Sequence, residues 1–592
     1  MDDPRKQGPQ QGPIDWSEFI KQAQQSGAGA DFNKIKSRFS HLKKRTIIIA
    51  AVVLVLVLAL AYWWFHPAIN IQSIDLWGFL VVILALVTFV LFVFRQIYQT
   101  GMGKREKSPK KVKLFSGLMA IPIAIAVIGA VGWLASQSFF PGNAEKYSTV
   151  LVTEDADFAT DIPEVNYSEI PFIDKDSAIL LGNRTMGTMA DYVSQFEISD
   201  LYSQINYKGQ PVRVSPLNYA DFFKWWANKD GGIPAYVIVN MSTQDTEIVR
   251  LENPIRYSDS DPFFYNVDRH VQLSHPFYMF DEKSFEINDD GEPIWIYPVQ
   301  KRTIGLFGGT TIQRVVLCNA STGECQDFAI EDVPQWVDRA YPAELLIEQY
   351  NWSGALSGGW INSWLGQNGV KQTTPSTDGK SGFNYIAQDD DVWVYSGVTS
   401  ATADNSIIGC VMINQRTAES KFYSVAGATE ESAMRSAEGQ VQHLQYDATF
   451  PLLINVDGQP TYFMALKDAA GLVKMYAMVD IQRYQNVAVG DTLAATEKSY
   501  KQLLVSQGIN AGGSDASAHP SAGSTSGTIA SISPVVLDGN SHYYLILDGQ
   551  QAIFDCPVAS VVDVVRYKVG DVIVLNHGSS EGNVVLVDSI GE

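Results

Sequence analysis

VVLCNASTGECQDF, residues 315–328, holds an alternating apolar run, a cluster of turn formers and a second run, with Cys318 and Cys325 equally far from the turn. If Asn319 pairs with Glu324, the turn is the four residues Ala320–Gly323 and the stretch is a β-hairpin. Opposed residues on antiparallel strands bring their Cβ atoms within about 4.5–5.5 Å. Cys318 and Cys325 then face each other and are placed to form a disulfide. Cys410 and Cys556 sit in apolar runs and read as small buried hydrophobes.

The same chemistry recurs twice. AYVIVNMSTQDTEIV begins at Ala235 and GCVMINQRTAESKFY at Gly409. Each copy has Asn, two residues, Thr, one residue and an acid: Asn240, Thr243 and Asp245; Asn319, Thr322 and Glu324; Asn414, Thr417 and Glu419. An Asn side chain bonds the backbone of its own turn, which suits a tight reversal between strands. The hairpin at 315–328 reads as one of a set, with convergence as the alternative because hairpin turns draw on few residue types. The uneven spacings, 79 and 95 residues, exclude a solenoid.

Strand, NASTGE and returning strand resemble the closing hairpin of PepSY-like domains, in which a D-A-x-T-G-E turn recurs. Asn319 stands where that turn has Asp, and the other two copies lack the Gly. More broadly, WVDRAYPAELLIEQYNWSG, DDDVWVYSGVTS and TFPLLINVDGQPTYFMALKDAAGLVKMYAMV are similar to a family of uncharacterised membrane-anchored proteins of Gram-positive bacteria, over most of residues 140–510. The resemblance implies small extracytoplasmic α+β modules and brings no activity with it.

The beginning of the chain has a different character. Three uncharged apolar runs, 46–65, 76–94 and 114–134, are each about the 20 residues a helix needs to cross the hydrocarbon. HLKKR precedes the first and GMGKREKSPKKVK separates the second from the third, while HPAINIQSID between the first two has no Lys or Arg. This asymmetry predicts a cytoplasmic N-terminus and an extracytoplasmic body beyond about residue 137. Up to Ser136 there are 16 Lys and Arg against 7 Asp and Glu, and beyond it 27 against 57. The two parts, at +9 and −30, suit two compartments.

Beyond the membrane, β-like runs alternate with helical stretches at 218–230, 429–444 and 492–508, the last stopped by Gly508. Residues 510–526 read as a Gly/Ala/Ser linker. Five strand candidates within 527–592 resemble an OB-type barrel. That segment holds only Arg566 and Lys568 against eight acids, which excludes a nucleic-acid surface.

No nucleophile elbow, zinc-protease pair or phosphate loop is present, and GLFGGTT at 305–311 reads as a β-turn. His270 and His275 form a close pair without a carboxylate frame, and Asp389–Asp391 is the densest acid cluster; both read as structural or solvated.

The expectation is a three-helix transmembrane region, an α+β multi-domain extracytoplasmic region and a small all-β, OB-like barrel. The boundaries are a flexible N-terminus 1–45, helices within 46–136, domains 137–300 and 301–509, the linker 510–526, and the barrel 527–592. The predicted function is a non-catalytic binding or scaffold protein of the bacterial envelope, without cofactor or metal. Its partners would be the lipid bilayer and envelope proteins or peptides added at strand edges, with basic groups and divalent cations favoured by the negative field and no nucleic acid. Two alternatives are an accessory subunit of a transport or secretion complex and a hydrolase using Asp389–Asp391 or Glu419.

Overall fold

The computed structural model describes residues 44–100, 109–163, 170–375, 382–388, 390–401, 406–506, 523–537, 540–550, 552–558, 561–577 and 584–591. Contacts divide it into two units, one made of residues up to Asn455 with Pro460–Tyr500, the other of Val456–Gln459 with Lys501 onward.

The first unit opens with apolar helices. Helix α1 is Lys44–Phe65, α2 Ile74–Thr100 and α3 Pro109–Ala135. Both α2 and α3 are long and apolar enough to cross a membrane. They pack together, with Phe115 stacked on Phe94 and Tyr98, and Trp77 so close to Gly129 that a Cβ there would meet its ring at 2.8 Å. Ser136, at the end of α3, is buried, and its hydroxyl accepts the backbone N–H groups of Leu306 (2.9 Å) and Phe307 (3.0 Å). GLFGGTT is therefore the turn by which the body sits on α3.

The body is built from antiparallel meanders. Strand β1 (Thr153–Ala156) comes first, and helix α4 (Lys175–Gly187) follows it. The first meander is β2 (Phe196–Ile198) and β3 (Ser203–Tyr207), both paired to β4 (Gln210–Tyr219), then β5 (Ile233–Asn240) and β6 (Thr246–Ile255). Helix α5 (Phe222–Asn228) lies between β4 and β5, and α6 (Val267–Ser274) follows β6.

The second meander is β7 (Ser284–Ile287), β8 (Pro293–Ile304), β9 (Gly308–Asn319) and β10 (Cys325–Ala329). After α7 (Ala343–Leu356), the third has β11 (Lys371–Thr373) and β12 (Asn384–Gln388) on β13 (Asp391–Ser400), then β15 (Gly409–Asn414) and β16 (Ser420–Tyr423), to whose edge β1 adds in parallel. A two-stranded ribbon, β14 (Ser406–Ile407) with β17 (Gly427–Ala428), flanks it. Helix α8 (Glu430–Gln440) leads to the fourth meander: β18 (Asp447–Ala448) and β19 (Leu452–Val456) on β20 (Gln459–Lys467), then β21 (Val473–Asp480) and β22 (Val487–Gly490).

Each meander packs on the next, which explains the near-continuous apolar runs. Along β13, Val394 and Val398 enter a core shared with Ile296 and Leu317 of the second meander and Leu346 of α7. Trp393 and Tyr395 enter another, shared with Tyr462 and Met464 of the fourth and Ala433 of α8. Tyr236 of the first meander meets Phe285 of the second. Phe172, before α4, packs edge-on against Tyr476 of the fourth, and its N–H donates to Met241 of the first at 3.1 Å.

The second unit holds a closed five-stranded barrel. Its strands are β23 (Gly523–Leu537), β24 (Asn540–Leu547), β25 (Ile553–Pro557), β26 (Val572–His577) and β27 (Val584–Gly591), in the order β23-β24-β25-β27-β26 with β25 and β27 parallel. Ile529, Leu545, Phe554, Cys556 and Leu575 fill it.

Two expected boundaries change. The division at 300 falls inside β8, because the second meander is one hydrogen-bonded sheet. The linker expected to end at 526 ends earlier, since Gly523–Ser526 already pairs with β26. Helices expected at 429–444 and 492–508 run Glu430–Gln440 and Leu493–Ser506 (α9), whereas 218–230 divides into the end of β4 and α5. Gly508, Asp389 and the N-terminal segment 1–43 lie outside the described residues.

Candidate functional site

A cavity of about 350 Å³ is lined by residues from all four meanders. Its lining takes Tyr202 and Arg213 from the first meander, Glu282 and Arg339 from the ends of the second, Asn384 and Tyr385 from β12, and Leu452 and Phe463 from β19 and β20. Phe172 and Asp174 close one side.

Arg213 sits in PVRVSPL, an otherwise apolar strand, and is only 5% exposed. Its Nε donates to the Ile173 carbonyl and its Nη2 to Gln204 Oε1, each at 3.3 Å. Burial lowers its pKa, and the charges of Tyr385 and Asp174 oppose that. Arg339 is half-buried, and its Nε is buried without a hydrogen-bond partner among the described residues. Burial works against its charge too, but Tyr385, Glu344, Glu286 and Glu282 outweigh this and its pKa rises. Among the described residues neither guanidinium has a carboxylate within ion-pair distance. Asp174 is engaged elsewhere: it caps α4 through the Ser177 N–H (2.9 Å) and pairs with Lys467. Lys175, Glu282 and Glu344 are exposed at the mouth. The interior therefore presents two positive groups with unfilled donors beside aromatic walls, a setting suited to a planar or tetrahedral anion.

Arg339 is held from behind. Glu286 on β7 is fully buried and accepts the N–H of Asp338 (3.0 Å) and of Arg339 (3.1 Å). Asp338 is also buried and accepts the Asn206 N–H at 2.7 Å. Burial first, then mutual repulsion, raises the pKa of Asp338, and burial raises that of Glu286.

The predicted hairpin residues form one turn built three times. Asn240 Oδ1 accepts from Ser242 and Thr243, Asn319 Oδ1 from Ser321 and Thr322, and Asn414 Oδ1 from Arg416 and Thr417, all between 2.8 and 3.0 Å. Thr243, Thr322 and Thr417 accept from the N–H of Asp245, Glu324 and Glu419. The next-to-last residue is left-handed in every copy: Gln244 (φ 68°), Gly323 (77°) and Ala418 (59°). None of these turns lines the cavity.

Cys318 and Cys325 are directly opposed on β9 and β10, beside the bonded pair Asn319–Glu324, and both are thiols in this structure. The fold adds a third group to them. His270 of α6, 48 positions before Cys318, brings a ring nitrogen to the pair, so that the nitrogen and both sulfurs lie within 4.8 Å of one another. Its Nε2 is 2.8 Å from the Gly323 carbonyl, and the Tyr257 ring covers it at 4.3 Å. The hydrogen bond from Cys318 and then His270 draw the Cys325 pKa down to about 5, and the same bond with burial pushes Cys318 up. His275 stacks on Tyr278.

Of the acids considered for hydrolysis, Asp391 is bound by Nε and Nη2 of Arg416 (2.7 and 2.8 Å) and by Asn414 (2.7 Å), and Glu419 pairs with Lys421. Sequence reading did not single out Arg213 or Arg339. For Arg213 the available signal is an arginine inside an alternating apolar run.

No family model matches the chain, and no curated protein matches it. Among solved structures, a Synechocystis apocarotenoid oxygenase variant is similar at 11% identity over 52% of this chain and 64% of that one, with a TM-score of 0.16. A B. megaterium levansucrase variant is similar at 9% identity over 76% and 94%, also with a TM-score of 0.16. Likeness at this level carries no inference about fold or function.

Proposed function

We propose that the chain is a membrane-anchored, extracytoplasmic binding protein of the cell envelope, without catalytic activity, whose cavity takes a small ligand bearing a carboxylate or phosphate group. The observation that carries this reading is the pair Arg213 and Arg339, enclosed together with no carboxylate among the described residues paired to either guanidinium. An unpaired buried charge is costly, and an anion supplied by a ligand removes that cost. Four consecutive meanders of four to six strands, all contributing to one cavity, support a propeller-like arrangement, in which such a cavity is the natural binding place.

Three spans with the body outside is the reading that the Lys and Arg distribution favours. Exposed aromatic side chains support it. Phe264 packs on Trp63 at the end of α1, Trp360 meets Phe139 just beyond α3, and Phe223, Trp226 and Phe277 are also exposed. Side chains of this kind suit the headgroup layer. The order of the five barrel strands supports an OB-like reading with a contact role rather than nucleic-acid binding. The three Asn-x-x-Thr-x-acid turns are what supports a PepSY-like reading of the modules.

The test is calorimetric titration of the detergent-purified chain with inorganic phosphate and with a short peptide carrying a free C-terminal carboxylate. Saturable uptake of at least one, lost in the R213Q/R339Q double variant, is expected. No uptake of either, or uptake unchanged in the double variant, overturns the reading.

A further inference from the structure

We propose that His270, Cys318 and Cys325 form a binding site for a soft divalent metal ion of the Zn(II) class. Two sulfurs and one ring nitrogen converge here from three elements, β9, β10 and α6, with every ligand atom within 4.8 Å of the others. Sulfurs on a tetrahedral zinc ion stand about 3.8 Å apart, given bonds of about 2.3 Å, so the cluster needs a contraction of no more than about an ångström.

The surroundings hold these groups in place. Cys318 is fully buried in the middle of a sheet, with Trp295 opposite it on β8. Cys325 opens β10, so its neighbour across the ladder is fixed by the turn that precedes it. His270 is set by α6, whose first turn is capped by Asn266 through the Arg269 N–H (3.1 Å), and by the Tyr257 ring. The Gly323 carbonyl beside His270 Nε2 is the kind of acceptor that orients a ligating imidazole.

The donor set selects the metal. It contains no carboxylate or carbonyl cage, which removes calcium and magnesium from consideration. Two thiolates and a neutral imidazole cancel a charge of +2, whereas a monovalent copper ion would leave a net negative charge in a half-buried place. Three protein ligands leave a fourth position open. His275, one turn on from His270, keeps a buried Nδ1 with no hydrogen-bond partner among the described residues. A disulfide between Cys318 and Cys325 is the competing state, and it excludes the metal because it uses both sulfurs.

Cobalt(II) titration of the full chain in detergent, with the thiols reduced, reads ligand type directly through the thiolate-to-cobalt charge-transfer band. One equivalent with that band, displaced by Zn(II), is expected. C325S and H270N each weaken Zn(II) binding at least tenfold, while circular dichroism and phosphate binding at the separate arginine cavity stay as in the wild type. Absence of the band, affinity unchanged in C325S, or a Cys318–Cys325 disulfide in protein isolated from its membrane without oxidant overturns the proposal.

Discussion

The buried Glu286 carboxylate holds the backbone N–H of Arg339 at 3.1 Å and that of Asp338 at 3.0 Å, tying the chain after β10 back to β7. This bond sets where the Arg339 guanidinium stands. Because the acceptor lies outside the cavity lining, it acts on a ligand only through Arg339.

Replacing it separates positioning from binding. E286A strands two buried donors and should cost about 3 kcal/mol of stability in urea unfolding. E286Q keeps an acceptor and should cost about half as much. Phosphate affinity should fall about tenfold in E286A and recover largely in E286Q. If affinity is unchanged while stability falls, Glu286 has no positioning role.

The repeated turn offers a matched pair of substitutions. Ala418 holds a left-handed conformation that glycine adopts without strain, so A418G should stabilise by about 0.5–1 kcal/mol. G323A should destabilise by well over 1 kcal/mol, since its Cβ would meet the Tyr257 ring at 2.3 Å as well as straining the backbone. Thermal unfolding midpoints of both variants check this.

Glu430, fully buried, accepts from the Gly397 N–H (2.6 Å) and Thr374 Oγ1 (2.9 Å). Burial raises its pKa above the ordinary 4.5 despite these bonds. The folded chain thus holds the proton more tightly than the unfolded one. Stability from this group is complete below pH 4.5 and is lost as pH rises through the elevated folded value. E430Q, standing in for the protonated form, should flatten that part of the midpoint-versus-pH curve.

Orientation is open to thiol labelling in intact cells. A cysteine at Ile71, exposed between α1 and α2, should react with an impermeant reagent from outside. One at Lys110, at the start of α3, should react only after permeabilisation. The reverse pattern would put the body in the cytoplasm.

How much could be read in advance follows from the range of the interactions involved. The three Asn-x-x-Thr-x-acid turns were legible because an Asn side chain bonds N–H groups two and three residues away. The apolar helices were legible because a helix long and apolar enough to cross a membrane is a run of one character. The boundary expected at 300 falls inside β8, because a helix-free stretch of strands shows no seam between one sheet and the next.

Sequence by itself determined the charge division, the apolar segments, the hairpins and the facing of Cys318 and Cys325, all fixed by contacts within about a dozen residues. Tertiary structure alone decided that Arg213 and Arg339 share a cavity and that His270 reaches the cysteine pair. Those meetings join positions far apart in the chain, and only the packing of one meander on another brings them within reach.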